Sequence, residues 1–94
     1  VLQIDAHADL REKYNGSLFN HACVMARAKE VASIVQVGIR SFDKCEYEKM
    51  NLSSVFFAED IVGKTEWHED VVALLSRKKV YVTIDLDGFD PSVL

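Results

Sequence analysis

VLQIDAHAD, at residues 1–9, joins a short apolar run to an alternation of acidic and imidazole side chains. VYVTIDLDGFD, at residues 80–90, has a similar pattern, and two further apolar runs lie between these stretches. All four runs are nearly continuous and rich in β-branched or aromatic residues, which is typical of strands covered on both faces. The sequence therefore predicts four strands, Val1–Ile4, Ile34–Ile39, Val55–Ala58 and Val80–Ile84.

The segments between these runs predict helices. Asn20 can cap a helix over about residues 21–31, and a weaker helix is expected over residues 44–50. Thr65 can cap a third helix, followed at residues 76–79 by positive charge that suits a helix C-terminus. The buried side of this third helix is expected to comprise Val71, Val72, Leu74 and Leu75.

The alternation of strands and helices indicates the fold class. It predicts α/β, with a parallel sheet between helices in three α-β-α layers. Right-handed crossovers place the first three strands side by side, and the fourth could extend that row or return beside the first. If the acidic residues after the first and last strands build one site, the strand order is 4-1-2-3.

Composition excludes several classes of protein. The 94 residues are 49% hydrophobic and 28% charged, with a net charge of −4, so the chain is too apolar for a disordered segment. No apolar stretch approaches the roughly 20 residues that a membrane-spanning helix needs. The acidic balance and the lack of a Lys/Arg cluster argue against nucleic-acid binding. Cys23 and Cys45 are interpreted as reduced thiols of a cytoplasmic protein.

Two acidic clusters follow predicted strands. Alternate residues point the same way, so Asp5, His7 and Asp9 can converge, as can Asp85 and Asp87. Open α/β sheets bind ligands at the carboxyl ends of their strands. Carboxylates packed this densely repel one another, and a divalent cation removes that repulsion. Oxygen-rich donors with one imidazole suit Mn²⁺, or less specifically Mg²⁺, Zn²⁺ or Fe²⁺.

Two alternatives to a metal site remain at this point. The clusters could be solvated loops without a ligand. Asp85-Leu86-Asp87-Gly88 also resembles the nucleophile loop of haloacid-dehalogenase-type phosphotransferases. That family has Thr or Val where this chain has Phe89 and needs a whole domain after the loop, and it leaves residues 5–9 unexplained.

The two clusters also resemble signature motifs of one enzyme family. Residues 5–9 (DAHAD) and 83–92 (TIDLDGFDPS) are similar to motifs of the ureohydrolase (arginase/agmatinase) superfamily. Residues 20–25 (NHACVM) and 36–41 (QVGIRS) resemble bacterial agmatinases in particular. The resemblance implies an arginase-like fold and a site with two Mn²⁺ ions per subunit that hydrolyses a guanidino group.

The resemblance implies a role for each matching residue. Asp5 and Asp85 would bridge the two metals, and His7 and Asp87 would complete the shell of one of them. Asp9 would bind the other metal and accept a hydrogen bond from the hydroxide between them.

Other matching positions concern protons and substrate. His21 would transfer a proton near the site entrance, which suits an imidazole that titrates near neutral pH. The loop after the first cluster shapes the substrate entrance in this family, so Ser17 and Asn20 are candidate substrate contacts.

The reaction that the resemblance favours is hydrolysis of agmatine to putrescine and urea, a step of polyamine biosynthesis. Arginase, guanidinobutyrase and formimidoylglutamase activities are the alternatives within the superfamily. The resemblance further implies a small cationic guanidino substrate, a cytoplasmic location and a homo-oligomer, a trimer or a hexamer.

Two family features have no counterpart in these residues. A metal-binding histidine of a Gly-Gly-Asp-His motif is expected upstream of Val1, and a substrate-binding glutamate is expected after Leu94. We therefore expect residues 1–94 to be a single internal segment of one larger catalytic domain, holding five of six metal ligands. A non-catalytic fragment is the remaining hypothesis.

Overall fold

A computed structural model describes residues 1–75 and 79–93. Four parallel strands form one sheet in the order β3-β2-β1-β4, which is the predicted order 4-1-2-3 seen from the other edge. The strands are β1 Leu2–Ile4, β2 Val35–Ile39, β3 Val55–Phe57 and β4 Val82–Ile84. Both the fold class and the strand order are confirmed.

Within the described residues, four α-helices accompany the sheet, namely α1 Val24–Lys29, α2 Lys44–Glu48, α3 Ala58–Ile61 and α4 Trp67–Leu74. Short 3-10 segments lie at His21–Cys23, Leu52–Ser54, Leu86–Gly88 and Pro91–Val93. The side chain of Asn20 accepts a hydrogen bond from the N–H of Ala22, which confirms it as a cap. In the described ranges, every helix lacks the length and apolarity needed to cross a bilayer.

Helix α4 differs from its prediction. It begins at Trp67, and the residue before it makes no side-chain capping bond, so Thr65 is not its cap. Only Val71 is buried, whereas Val72 is 66% and Leu74 42% exposed, so their predicted burial was wrong. The helix packs through Trp67, Val71 and Leu75, a stripe at i, i+4 and i+8 that is narrower than the predicted face. The predicted positive charge at residues 76–79 falls largely outside the described residues.

Two apolar clusters fill the core. One joins α1 to the sheet and comprises Ala8, Leu10, Met25, Ile39 and Val55. The other joins α4 to the sheet and comprises Val35, Val37 and Val71, with Leu2 and Ile4 packed against it. Strands β1, β2 and β3 follow one another across the sheet in one direction, and the connection after β3 then returns past them to place β4 beside β1. Right-handed crossovers therefore place α1 and α4 on opposite faces of the sheet.

Strand β4 is less covered than its apolar sequence predicts. It pairs with β1 on one side, and Val82 and Ile84 are about half exposed. Strand β2, by contrast, is buried along its whole length between β1 and β3. The prediction of strands covered on both faces therefore holds for β2 and fails for β4.

Candidate metal centre

The two acidic clusters meet because β1 and β4 are neighbours in register. Ile4 lies beside Ile84, so Asp5 and Asp85 are the first residues beyond the paired strand ends. The N–H of Asp85 donates to the carbonyl of Ile4 at 2.9 Å, and the N–H of Asp5 donates to the carbonyl of Val37 at 3.1 Å. These two backbone hydrogen bonds fix the positions of Asp5 and Asp85 at the same edge of the sheet.

Three of the predicted ligands form a compact donor group. One potential ligand atom from each of Asp5, His7 and Asp87 lies within 4.8 Å of the other two. Nδ1 of His7 is 2.9 Å from Oδ2 of Asp87 and 3.5 Å from Oδ1 of Asp5. Two carboxylates and one imidazole at this spacing could hold a divalent transition-metal ion.

A cavity of about 570 Å³ opens over this group. All five predicted metal ligands line it, and so does His21. The other side chains of its wall belong to Arg11, Tyr14, Ala22, Ser41, Phe42, Asp43 and Glu46. The cavity therefore joins residues from both ends of the sequence, and acidic side chains outnumber basic ones along its wall.

Asp9 has an unusual backbone conformation. Its φ of 55° lies in the left-handed region, which is uncommon for a residue other than glycine. The carbonyl of Asp9 accepts hydrogen bonds from the N–H groups of Met25 and Ala26 at 2.9 and 3.2 Å. These N–H groups belong to the first turn of α1, where helices lack internal acceptors, and they compensate for the cost of the conformation.

The carboxyl groups of the cavity differ in their tendency to ionise. Burial and the nearby charge of Asp5 raise the pKa of Asp9 to about 6. Burial also raises the pKa of Asp5. Burial opposes ionisation of Asp87 too, but the hydrogen bonds it accepts, led by that from the Ala6 N–H, lower its pKa overall. A divalent cation among these groups would favour the ionised form of each.

The raised pKa of Asp9 predicts that the metal-free fold loses stability as the pH rises. The folded chain keeps the proton to about pH 6, whereas an unfolded aspartate loses it near pH 3.9. The contribution of protonated Asp9 to the free energy of unfolding is fully present below about pH 3.9. It is lost as the pH rises through about 6, and the loss is at most roughly 3 kcal/mol. Asp9→Asn should remove this dependence and raise the free energy of unfolding at pH 7, measured by urea denaturation in a chelator.

Asp70→Asn is the control for this measurement, because Asp70 is an exposed residue of α4 outside the cavity. It should keep the pH dependence of the wild type. Equal pH profiles for the wild type and Asp9→Asn would contradict the prediction.

His21 lies at the mouth of the cavity. It begins the 3-10 segment before α1, is exposed, and packs edge-on against Tyr14 with ring centroids 5.7 Å apart. Ser17 and Asn20 are not among the residues that line the cavity. Ser17 Oγ accepts a hydrogen bond from the N–H of Phe19, and Asn20 caps the 3-10 segment. Their contact with substrate stays a prediction.

Sequence reasoning overlooked a polar cluster that supports the loop after β1. Nη2 of Arg11 is 3.1 Å from Oδ2 of Asp43, and buried Glu46 accepts a hydrogen bond from the N–H of Leu10 at 3.0 Å. Asp43 and Glu46 also form a capping box at the start of α2. An acidic cap followed three residues later by glutamate is a recognisable helix start, and it could have identified both residues.

Glu46→Ala is therefore expected to destabilise the fold by about 1–3 kcal/mol, because it leaves the buried N–H of Leu10 without a partner. Urea denaturation provides the measurement. Glu48→Ala is the matched control, since Glu48 is an exposed residue of the same helix. Equal losses in the two variants would count against a structural role of the buried carboxylate.

Comparison with known proteins identifies the family. The family model described as "Arginase family" matches residues 1–94. The chain belongs to the arginase family. This confirms the resemblance to the ureohydrolase superfamily, and the relatives below confirm its agmatinase-like character.

Several relatives of this arginase-family chain are similar over nearly all of its length. It is 38% identical over 97 residues to an N(1)-aminopropylagmatine ureohydrolase of Synechocystis sp., covering 100% of the chain and 32% of that protein. It is 39% identical over 87 residues to an agmatinase of Pyrococcus horikoshii, covering 92% of the chain and 30% of that protein.

A solved structure gives the same assignment. The crystal structure of a putative agmatinase from Clostridium difficile matches with a TM-score of 0.74 and 38% identity, covering 98% of this chain and 34% of that one. The chain spans about a third of the length of these relatives.

Proposed function

We propose that this chain supplies most of a binuclear manganese site that hydrolyses a guanidino compound to urea and an amine. One observation carries the proposal: five acidic and imidazole side chains from the ends of β1 and β4 line a single cavity. Membership of the arginase family and the names of the relatives support it.

The donor set fits divalent metal ions. Asp5 and Asp85 would bridge two ions, His7 and Asp87 would complete the shell of one, and Asp9 would bind the other. Burial, and after it the charge of Asp5, raises the pKa of Asp9 to about 6, and added positive charge would favour its ionised form. When bound, two such ions lower the pKa of a water molecule and position it as a nucleophile.

The residues of the chain would carry the remaining steps. Asp9 accepts a hydrogen bond from the nucleophile and so orients it toward the guanidino carbon. The oxygen of water adds to that carbon and its protons pass to solvent, and the C–N bond to the amine then breaks as the C–O bond becomes the carbonyl of urea. His21 gives the departing nitrogen its proton and regains one from solvent, which its exposed position at the cavity mouth allows.

Agmatine is the substrate that we propose, with putrescine and urea as products. Asp43 lines the cavity outside the predicted ligand set, and its carboxylate, which also pairs with Arg11, could face a cationic substrate. N(1)-aminopropylagmatine is a second candidate, because the Synechocystis relative is named for it. Arginine, guanidinobutyrate and formimidoylglutamate are less favoured, because the relatives compared above are named as an agmatinase and an N(1)-aminopropylagmatine ureohydrolase.

A substrate panel tests the proposal. The protein at its natural length, loaded with Mn²⁺, is expected to release urea from agmatine or N(1)-aminopropylagmatine faster than from arginine or guanidinobutyrate. Urea would be measured colorimetrically under identical conditions for all four compounds. Absence of urea from every compound would contradict the proposed reaction, and a preference for arginine would contradict the assigned substrate class.

Four broader predictions accompany this proposal. Residues 1–94 are proposed to be one segment of a larger arginase-like catalytic domain. The whole protein is proposed to act in the cytoplasm, within polyamine biosynthesis, and to assemble as a homo-oligomer, a trimer or a hexamer.

A further inference from the structure

Two glutamines lie in the interior of the sheet. Gln3 in β1 and Gln36 in β2 are directly paired in the strand register, and their exposed fractions are only 2% and 1%. Their neighbours in both strands are apolar, and a buried amide is favourable only when hydrogen bonds satisfy it. The metal ligands alone do not explain why amides occupy these positions.

The four amide hydrogens of this pair all point toward each other or toward the loop of residues 5–9, which carries three of the predicted metal ligands. Nε2 of Gln36 donates to Oε1 of Gln3 at 2.7 Å and to the carbonyl of Ala8 at 2.8 Å. Nε2 of Gln3 donates to Oδ2 of Asp5 and to the carbonyl of His7, both at 3.1 Å. The hydrogen bonds therefore run in one direction, from Gln36 through Gln3 to Asp5.

The acceptors around the two amides fix this direction. Oε1 of Gln36 is buried and has no hydrogen-bond partner among the described residues. Turning the amide over would not help, because that oxygen would then face Oε1 of Gln3 and the carbonyl of Ala8. The Asp5 carboxylate and the carbonyls of His7 and Ala8 accept these hydrogen bonds, so these acceptors set which way both amides face.

We propose that Gln3, supported by Gln36, is a positioning residue that holds the Asp5 carboxylate and the adjoining loop in the geometry required for metal binding. This inference rests on the proposed function, since it assumes that Asp5 binds a metal. It concerns residues outside the predicted ligand set.

The contacts show how the positioning works. The Asp5 carboxylate is held from two sides, because Oδ2 accepts from Gln3 and Oδ1 accepts from the N–H of His7 at 2.8 Å. Each carboxylate oxygen has a second lone pair, which stays available for a metal ion. The same two amides hold the carbonyls of His7 and Ala8, and so orient the peptides that carry His7 and Asp9.

Gln3→Met tests the inference, because methionine has a similar length and no N–H donor. Residues that orient metal ligands typically contribute 10- to 100-fold to metal affinity. In the protein at its natural length, we expect Gln3→Met to bind Mn²⁺ about 10- to 100-fold more weakly than the wild type. Free Mn²⁺ would be measured during the titration by electron paramagnetic resonance. Gln36→Met, which removes only the support of Gln3 and Ala8, should give a smaller loss in the same direction.

Val37→Ala is the matched control. Val37 lies next to Gln36 in β2 but points into the apolar cluster on the other face of the sheet. It should lower the free energy of unfolding in chelator while leaving the Mn²⁺ affinity of the folded protein unchanged. A merely structural role of Gln3 would give the same pattern as Val37→Ala.

The outcomes separate this inference from the proposed function. Weaker Mn²⁺ binding by Asp5→Asn and by Gln3→Met, with normal binding by Val37→Ala, supports both. Loss of binding in Asp5→Asn but wild-type affinity in Gln3→Met overturns the positioning role and leaves the metal site intact. Wild-type affinity in Asp5→Asn overturns both. If Gln3→Met does not fold, Gln36→Met decides, and wild-type affinity there overturns the inference.

Discussion

Asp85→Asn is expected to abolish urea release in the protein at its natural length. Asp85 follows β4 directly, lines the cavity with the other predicted ligands, and is the residue that the family pattern assigns as a bridge between the metals. Asparagine keeps the shape but loses the negative charge that a bridging ligand provides. The loss of activity should exceed about 100-fold, the upper end for residues that only support a ligand.

Two measurements make the Asp85→Asn result specific. Metal content by atomic emission should fall together with activity, whereas the free energy of unfolding in chelator should stay within about 1 kcal/mol of the wild type, because the side chain is exposed. Asp70→Asn removes one carboxylate of α4 outside the cavity and should leave activity and metal content unchanged. Near-normal turnover by Asp85→Asn would refute the proposed metal site.

His21→Ala is expected to lower kcat by about 100- to 10,000-fold, the usual contribution of a positioned acid or base. The imidazole lies at the cavity mouth beside Tyr14 and outside the compact donor group. Metal content should therefore be unchanged. The leaving amine would then take its proton from solvent.

His68→Ala is the control for this measurement. His68 is exposed on α4, where its ring packs against Trp67, and it is not among the residues that line the cavity. Its removal should leave kcat as in the wild type. If His21→Ala retained wild-type turnover, another group would have to protonate the leaving amine.

Sequence patterns predicted the parts of this structure that depend on local chemistry. Apolar runs located all four strands, and the acidic residues after the first and last of them predicted that β1 and β4 are neighbours. That inference works because ligand side chains must converge, which leaves one strand order. The convergence of Asp5, His7 and Asp87 is the structural counterpart of the same reasoning.

The remaining features depend on contacts between distant parts of the chain. Helix α4 has four apolar residues near its end, but only those facing the sheet are covered, and periodicity did not select Val71 over Val72. The partner of Gln3 is Gln36, which is adjacent only after β1 and β2 pair. Neither glutamine carries a charge, and the resemblance of residues 36–41 to agmatinases assigned no role to Gln36. A polar residue inside an apolar strand, two positions before an aspartate, is the signal that could have identified Gln3.

Hydrogen bonds hold both ends of the loop between Asp9 and α1. The N–H groups of Met25 and Ala26 donate to the carbonyl of Asp9. A further hydrogen bond, from the N–H of Arg11 to the carbonyl of Ala22 at 3.1 Å, closes this loop at its base. Residues 12–20 therefore leave and rejoin the protein at fixed points. Exchange or lengthening of that loop would leave the separation between Asp9 and His21 unchanged. If the proposed function holds, replacement of this loop could change the substrate contacts while the spacing of Asp9 and His21 is kept.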